Sequence, residues 1–421
     1  MNSFLENLKK RNLLKDISNE SKLEFAQEKK YGVYCGFDPT AFSLHIGNLM
    51  QLIILKAASS YNFVPYVLIG KATGLIGDPA FKEKERKKTN FKDIEYNFEC
   101  LKKQIKNIFP EFIIINNYKW VNDLSLIEFL REVGKAFNIS TMLAKDHIKT
   151  RIQSGLSFAE FSYNLIQAYD FYHLAKTKKI LVQFGGSDQW GNIISGINLI
   201  KEKYKHNSNK NLLNAIGFTI PLIVNSNNEK FGKTKGGNIW LNSKLTSVFS
   251  FYQYFLNLSD EAALKLIFYI FDFSLLKIKN IIKKHLENKK LKILQKEISL
   301  YFTSLIHTQK KANEVVELNK ILFVNLKNKN YLLTNKDFQI CYKHLNHLDL
   351  NQESINIVDL LIFSKLATSK RDAKKLITQN GISINNKIIN ELDFVLNFSS
   401  DNNYFLIKKG KKKYFVIKKN K

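Results

Sequence analysis

Residues 31–58 read YGVYCGFDPTAFSLHIGNLMQLIILKAA, and this stretch decides the fold that we expect for the chain. Its start resembles a strand, a turn containing proline and glycine follows, and its end has an apolar helical pattern. The runs 64–69 and 180–184 are likewise followed by a glycine-bearing turn and a helical pattern. Strands that alternate with helices in this way predict a doubly wound, parallel α/β sheet of Rossmann type.

The composition changes after about residue 240. All five prolines and nearly all the glycines come before that point, and residues 247–324 contain neither. Leu, Ile and Phe recur there at three- and four-residue spacing among lysines, which predicts amphipathic helices. Residues 325–352 are rich in Asn and Lys and are expected to be a linker. A small α+β domain with a lysine-dense tail is expected over 353–421.

The chain is strongly basic, with 65 Lys and Arg against 37 Asp and Glu and a net charge of +28. Such a surplus predicts a polyanionic partner, and nucleic acid is the first candidate. The alternative is an A+T-rich genome that raises the lysine content everywhere. Hydrophobic residues at 45% and aromatic residues at 13% exclude a disordered or low-complexity chain.

The cysteines are Cys35, Cys100 and Cys341, and they contain no CxxC pair. Such spacing predicts neither a disulfide framework nor a zinc site. We expect the thiols to be reduced, as they are in the cytoplasm. The sequence shows no signal peptide and no apolar run that is long enough to span a membrane. We therefore expect a cytoplasmic protein without a membrane partner.

Two glycine-containing motifs are candidates for the chemistry. Residues 45–48 (HIGN) lie where a strand turns into a helix, and the unpaired N–H groups of a helix start can bind an anion. Their spacing is neither GxGxxG nor a Walker A loop, which argues against a dinucleotide enzyme and a P-loop NTPase. By itself, this pattern is more often a structural turn. Residues 230–234 (KFGKT) place two lysines on a loop that can close on a polyphosphate.

In this order, the two motifs resemble the signatures of class I aminoacyl-tRNA synthetases. Five further blocks narrow the resemblance to bacterial tyrosyl-tRNA synthetases: 34–44, 72–79 (ATGLIGDP), 161–163 (FSY), 167–171 (QAYDF) and 185–192 (GGSDQWGN). Residues 364–386 and 408–417 resemble the RNA-binding module of ribosomal small-subunit protein four. The resemblance implies a tyrosine–tRNA ligase that makes tyrosyl-adenylate and pyrophosphate from L-tyrosine and ATP, and then transfers tyrosine to the 3′ end of tRNA(Tyr).

The resemblance also implies three domains and the groups that bind each substrate. The domains would be a catalytic domain at 1–225, an α-helical anticodon-stem domain with the KFGKT loop at 226–324, and the RNA-binding domain at 353–421. Tyrosine would be held by Tyr34, Asp78, Tyr163, Gln167 and Asp170, with Tyr34 and Asp170 on its phenolic hydroxyl. ATP would be held by Asp38, Gly47, Asn48, Gly186, Asp188 and Lys233. The groups acting on the phosphates would be Thr40, His45, Lys82, Arg86, Lys230, Lys233 and Thr234.

Contacts to tRNA are expected from Lys370, Arg371, Lys374, Lys375, Lys411 and Lys412. ATP would enter as a substrate together with Mg²⁺, with no permanent cofactor and no metal site on the protein. The resemblance further implies a homodimer. Asn48 departs from the family, whose first motif usually ends in a second histidine, but its amide N–H can donate from nearly the same place.

Alternatives remain at several of these positions. The spacing of Tyr163, Gln167 and Asp170 places them on one helix face, which could equally be a solvated polar face. The basic loop 82–88 could be ordinary surface. Tryptophan enzymes share the first two domains, but the pair Tyr34 and Asp170 argues against them. A rival of another class is an RNA-binding protein with a degenerate synthetase domain.

Overall fold

The computed structural model describes residues 3–77, 90–143, 148, 152, 155–206, 210–222, 231–234, 237–328, 330–399, 403–410 and 413–420, with the backbone alone at 233 and 234. The chain divides into two compact units. The first comprises residues 1–245 and 255–298, and the second comprises 246–254 and 299–421. No helix among the described residues combines the length and the apolar composition that a membrane span requires.

The described part of the first unit contains a sheet of six strands. They are β1 (Asp16–Ile17), β2 (Gly32–Phe37), β3 (Val64–Ile69), β4 (Ile113–Asn116), β5 (Ile180–Gly186) and β6 (Ile216–Ile220). Their order in space is β1-β6-β5-β2-β3-β4, and β1 alone among them runs antiparallel to its neighbour. The chain therefore winds to one side of β2 and then to the other, which confirms the doubly wound α/β class. The order reverses between β2 and β5, where such sheets bind ligands at the carboxyl ends of their strands.

Helices connect and follow these strands. They are α1 (Phe4–Lys10), α2 (Glu20–Glu28), α3 (Ile46–Ser59), α4 (Lys71–Ile76), α5 (Phe91–Ile108), α6 (Tyr118–Asn122), α7 (Leu126–Glu132), α8 (Ile139–Leu143), α9 (Phe158–Lys178) and α10 (Trp190–Tyr204). A hairpin of β7 (Lys233–Thr234) and β8 (Gly237–Asn238) comes next. The periodic segment then forms α11 (Val248–Leu256), α12 (Asp260–Leu266), α13 (Leu275–Glu287) and α14 (Ile293–His307), as its spacing predicts.

The core beside β2 and β5 fixes α9 and α10 against the sheet. Tyr34 of β2 packs there with Phe171 of α9 and with Ile193 and Ile197 of α10. A side chain at Gly196 would come within 2.9 Å of the Phe171 ring, so the two helices approach closely only because this residue is glycine. This packing holds the polar residues of α9 over the carboxyl ends of the strands.

The second unit is a smaller α+β structure. It includes most of α11 and the part of α14 after residue 298, together with α15 (Gln309–Phe323), α16 (Asn335–His344), α17 (Ile357–Phe363) and α18 (Lys370–Thr378). Its strands are β9 (Asn346–Leu350), β10 (Ser354–Asn356), β11 (Ile382–Ile384), β12 (Lys387–Ile388), β13 (Val395–Asn397), β14 (Tyr404–Lys409) and β15 (Lys413–Lys419). One sheet has the order β12-β11-β14-β15-β9, and β10 pairs with β13.

The segment 325–352, expected to be a linker, contains regular structure instead. Helix α16 begins at a capping box of Thr334 and Asp337, and it buries Phe338 and Cys341 in a core that also contains Leu406. Strand β9 pairs in parallel with β15. The Asn and Lys content predicted a linker because those residues favour loops. The cap and the three-residue spacing of the two apolar residues were the opposing signal.

Candidate active site

A cavity of about 260 Å³ lies at the carboxyl ends of β2 and β5, where the strand order reverses. The side chains of Tyr34 in β2 and Gln183 in β5 reach it, and Asp38 follows β2 directly. The polar residues that line it are Tyr34, Asp38, Thr40, His45, Asn48, Gln51, Thr73, Tyr163, Gln167, Asp170, Gln183, Asp188 and Gln189. Most of the residues expected to bind tyrosine or ATP are therefore brought to one place.

Asp170 is a buried carboxylate at the base of this cavity, with only 1% of its surface exposed. Its Oδ1 accepts a hydrogen bond from Trp120 Nε1 at 2.8 Å, and its Oδ2 accepts one from Asn117 Nδ2 at 3.0 Å. Burial raises the pKa of Asp170 to about 7, while these two donors oppose the rise and the charge of Asp38 adds to it. Each carboxylate oxygen keeps the capacity to accept a further hydrogen bond.

Tyr34 is equally buried, and its hydroxyl has no hydrogen-bond partner among the described residues. Burial, followed by the nearby Asp170 carboxylate, raises the pKa of the Tyr34 hydroxyl well above its ordinary value, so the group stays protonated. An unpaired buried hydroxyl costs about 1 to 3 kcal/mol. A ligand hydroxyl that accepts from Tyr34 and donates to Asp170 would satisfy both groups.

Asp38 joins the mouth of the cavity to its base. Its Oδ1 accepts from Thr73 Oγ1 at 2.7 Å, and its Oδ2 accepts from the Tyr163 hydroxyl at 3.1 Å. Asn117, fully buried, donates to Thr73 Oγ1 at 3.2 Å as well as to Asp170. A continuous hydrogen-bonded chain therefore connects the carboxylates of Asp38 and Asp170 through Thr73 and Asn117.

Two side-chain amides add acceptors to the cavity. The Oε1 atoms of Gln167 and Gln183 are buried and have no hydrogen-bond partner among the described residues. Gln167 Nε2 donates weakly to Gln189 Oε1 at 3.4 Å, which leaves its carbonyl oxygen for a ligand. Together with Asp38, these oxygens favour a positively charged donor such as an ammonium group.

The first motif forms the start of α3. His45 is the N-cap, and its Nδ1 accepts a hydrogen bond from Gly47 N at 3.1 Å. Asn48 completes a capping box, because its Oδ1 accepts from His45 N at 3.1 Å. Asn48 therefore has a structural function that the sequence analysis did not anticipate, in addition to lining the cavity.

The described part of the second motif packs directly on the first. Ile239 N donates to Gly232 O at 2.9 Å, and Ile46 N donates to Ile239 O at 3.1 Å. Gly232 has a φ of +91°, and a Cβ there would lie 2.7 Å from Cγ1 of Ile46. Glycine is thus required at 232 both by the backbone conformation and by the close approach of the two motifs.

A second cavity of about 270 Å³ adjoins the first. His45, Asn48, Gln51 and Asp188 line both, so the two cavities share one wall. The residues that line only the second are Gly47, Met50, Gly186, Ile220, Pro221, Leu222, Phe231, Asn238 and Tyr269. A Cβ at Gly186 would come within 2.6 Å of Asp188 Oδ1, so a side chain there would have to displace that carboxylate. This apolar, glycine-walled space suits a flat ring.

Several expected residues lie outside the description. Asp78, Lys82, Arg86, Lys230, Lys411 and Lys412 are not among the described residues, and Lys233 and Thr234 are described only as backbone of β7. The remaining expected tRNA contacts, Lys370, Arg371, Lys374 and Lys375, are exposed on α18. Lys370 lies 3.6 Å from Asp359.

Two residues that hold Asp170, Asn117 and Trp120, are not among the site residues predicted from the sequence. Asn117 follows β4 directly, and Trp120 lies one turn further in α6, so both come from the carboxyl end of a parallel strand. That position was the available signal, since such strand ends line ligand sites. Residues 113–116 are not among the strands predicted from the sequence, so the prediction does not reach the residues that follow them.

Known proteins resemble the chain over its whole length. The family described as tRNA synthetases class I (W and Y) matches residues 26–323, and the C-terminal domain of SYY-like tyrosine–tRNA ligases matches residues 337–417. The tyrosine–tRNA ligase of Mycoplasma mycoides subsp. mycoides is 43% identical over 418 residues, which cover 99% of each chain. That of Mycoplasma capricolum subsp. capricolum is 41% identical over 418 residues, again 99% of each chain.

A solved structure supports the same conclusion. A C-terminally truncated mitochondrial tyrosyl-tRNA synthetase from Aspergillus nidulans matches with a TM-score of 0.69 and 30% identity, covering 77% of this chain and 95% of that one. The sequence relatives and the fold thus point to the same family. The chain belongs to the tyrosyl-tRNA synthetase family of class I aminoacyl-tRNA synthetases.

Proposed function

We propose that this site activates L-tyrosine with ATP and that the chain then transfers tyrosine to the 3′ end of tRNA(Tyr). The observation that carries the proposal is the pair formed by Asp170, a buried carboxylate, and Tyr34, a buried hydroxyl without a partner, in one cavity. A phenol is the ligand group that accepts a hydrogen bond from the Tyr34 hydroxyl and donates one to the Asp170 carboxylate. Phenylalanine would leave the Tyr34 hydroxyl unpaired and bring no donor to Asp170, which is a larger penalty than an apolar pocket could impose.

The other end of the amino acid would meet the acceptors at the mouth of the cavity. The tyrosine ammonium would be held by Tyr163, Gln167 and Asp78, with the unpaired oxygen of Gln167 as the described acceptor that faces a ligand. Holding the ammonium and the phenol at once fixes the carboxylate of the substrate between them. Positioning of this kind supplies much of the rate of a two-substrate reaction.

The first step would be in-line attack of the tyrosine carboxylate on the α-phosphate of ATP, with pyrophosphate leaving. A general base is unnecessary, because a carboxylate is already ionised at pH 7. The work left to the protein is to place positive and donor groups where charge develops. We assign Thr40 and His45, which line the cavity, and Lys82, Arg86, Lys230, Lys233 and Thr234 to the phosphates.

The nucleoside would occupy the second cavity. Gly47 and Gly186 would allow the flat adenine and the ribose to approach the backbone, and Asp188, in the shared wall, would accept from ribose hydroxyls. Asp38 and Asn48 complete the ATP-binding set. Mg²⁺ would accompany ATP as the counter-ion of its phosphates. No group of three potential metal ligands occurs among the described residues.

The macromolecular partners are also part of the proposal. The tRNA would contact the exposed cations of α18, and the domains would follow the boundaries 1–225, 226–324 and 353–421. Large apolar side chains are exposed on α7, α8 and the first turn of α9, including Leu126 at 70%, Ile127 at 73% and Phe158 at 78%. Such exposure marks interaction surfaces and supports a homodimer. We place the enzyme in the cytoplasm, where its tRNA is.

The test is pyrophosphate exchange into ATP, measured with tyrosine and with phenylalanine. We expect exchange with tyrosine and almost none with phenylalanine. Tyr34→Phe should lower kcat/KM for tyrosine roughly fivefold, since about 1 kcal/mol of hydrogen bonding is removed, and should leave phenylalanine unaffected. Tyr204→Phe, at a buried tyrosine that lines neither cavity, is the control. Absence of tyrosine-dependent exchange would favour the rival, an RNA-binding protein with a degenerate synthetase domain.

A further inference from the structure

Lys71, the first residue of α4, is an unusual feature near this site because its side chain is buried. Only 6% of the residue is exposed, although lysine is almost never buried unless its charge is paired. Its Nζ pairs with the Glu95 carboxylate. Three aromatic rings surround the ammonium, with centroids 5.5 Å (Phe91), 5.1 Å (Phe98) and 5.5 Å (Tyr118) from Nζ.

These contacts hold three helices together through one cation. Glu95 and the two phenylalanines lie on α5 at positions 91, 95 and 98, a spacing that places them on one face of the helix. Tyr118 is the first residue of α6, and its ring also meets that of Phe91 at 5.3 Å. Aromatic faces attract a cation electrostatically, so the cluster selects a charged side chain and not merely a long one.

The residues next to this cluster in sequence hold the tyrosine pocket. Ala72 follows Lys71, and Asn117 precedes Tyr118; Ala72 N donates to Asn117 Oδ1 at 2.9 Å. With its Oδ1 fixed in this way, Asn117 directs Nδ2 to Thr73 Oγ1 and to Asp170 Oδ2. The start of α4 and the start of α6 are thus linked twice. The Lys71 ammonium links them through the aromatic cluster, and Asn117 links them next to the pocket.

We propose that Lys71 is a positioning residue for recognition of the substrate hydroxyl: its caged ammonium fixes the start of α4 and the start of α6, and so holds Asn117 against Asp170. Lys71 does not line the cavity and does not touch the substrate. Replacing Lys71 should therefore affect only substrates that form a hydrogen bond with Asp170. The inference rests on the proposed function, because it requires Asp170 to bind the phenol.

The test compares Lys71→Met with Lys71→Arg in the full-length enzyme. Methionine keeps an unbranched side chain of similar length in the cage but removes the charge, whereas arginine keeps the charge and can stack on the rings. We expect Lys71→Met to lower kcat/KM for tyrosine on the order of tenfold, below the roughly 10²-fold that a 1 Å misplacement can cost. The slow use of phenylalanine and the KM for ATP should stay within about twofold of wild type, and arginine should restore most of the activity.

Lys102→Met is the matched control. Lys102 is an exposed lysine of α5 whose Nζ lies 5.8 Å from the same Phe98 ring, but it pairs with Glu99 on its own helix. This variant should behave as wild type. If Lys71→Met does not fold, Glu95→Gln is the second variant, because the half-exposed Glu95 can lose its charge without leaving a cavity. It should reduce the preference for tyrosine in the same direction.

Two results would overturn the inference. One is an unchanged kcat/KM for tyrosine in both Lys71→Met and Glu95→Gln. The other is an equal decrease for both amino acids, which would assign Lys71 to general stability. Failure of the proposed function looks different, since wild-type enzyme would then show no tyrosine-dependent exchange at all.

Discussion

At the residue scale, the pocket depends on the Asp170 carboxylate, whose surroundings shift its pKa in opposite directions. Burial favours the protonated form of Asp170, while the N–H groups of Asn117 and Trp120 favour the ionised form, and the pKa settles at about 7. A carboxylate that must accept a hydrogen bond from the substrate hydroxyl should be ionised when the substrate arrives. The enzyme would therefore be sensitive to pH in a range where an exposed aspartate is not.

The pH profile of kcat/KM for tyrosine tests this directly, because this parameter reports the ionisation of the free enzyme. As the pH falls below 7, Asp170 gains a proton and loses the charge that makes it a strong acceptor. We expect kcat/KM to fall by up to about tenfold per pH unit and to level off above 7. Asp170→Asn should be low and flat over the same range, and a wild-type profile without an inflection near 7 would show that the carboxylate is not the acceptor.

Stability should change in the opposite direction through the same group. An unfolded aspartate has a pKa of about 3.9, so between about pH 4 and 7 the folded state binds the proton of Asp170 more tightly than the unfolded state. The contribution of this residue to the free energy of unfolding therefore decreases as the pH rises through that range. Burying this ionisable acceptor for the substrate therefore lowers the free energy of unfolding at neutral pH.

At the element scale, the sequence predicted what repeats locally and missed what depends on distant partners. The strand, turn and helix rhythm identified β2, β3 and β5, and the spacing on α9 placed Tyr163, Gln167 and Asp170 on one face. The donors from Asn117 and Trp120 were not predictable from that face, because they reach Asp170 from α6 and the turn before it. Likewise, α16 is stabilised by contacts of Phe338 and Cys341 with Leu406, which local composition does not contain.

The junction of the two signature motifs also belongs to this scale. Gly232 and Gly237 lie in the same short segment, and both have positive φ, +91° and +102°. A Cβ at 232 would meet Ile46 at 2.7 Å, whereas a Cβ at 237 would meet nothing within 4 Å. Substitution at the two sites therefore separates the cost of backbone strain from the cost of pushing the motifs apart.

We expect Gly232→Ala to lower the rate of pyrophosphate exchange by roughly tenfold or more, because overpacking costs about 1 to 3 kcal/mol beyond the strain. Gly237→Ala should have the smaller effect, from strain alone. The measurement is kcat for exchange at saturating tyrosine and ATP, with the KM for tyrosine as a check that the amino-acid pocket is intact. Equal decreases at the two positions would mean that contact between the motifs is unimportant.

At the scale of the whole molecule, the net charge of +28 has two explanations that the sequence does not distinguish. A compositional bias towards lysine and an RNA-binding surface would produce the same net charge. The structure narrows the question, because Arg371, Lys374 and Lys375 are exposed on the single helix α18, whose other face buries Ala373 and Ile377. Cations held together on one face repel each other unless a polyanion neutralises them, and this is a property that mutation can test.

Salt dependence of tRNA binding distinguishes a local interaction with phosphates from an effect of total charge. Replacing Arg371, Lys374 and Lys375 by Gln should weaken binding of tRNA(Tyr) and reduce the slope of log affinity against log salt concentration by about 0.7 to 0.9 for each phosphate that the protein no longer neutralises. Tyrosine-dependent pyrophosphate exchange should be unchanged, since that reaction does not use tRNA. The control replaces Lys102, Lys103 and Lys106, exposed lysines of α5, and removes the same net charge. If both triple variants change the slope equally, the cations of α18 act only through total charge and the tRNA site lies elsewhere.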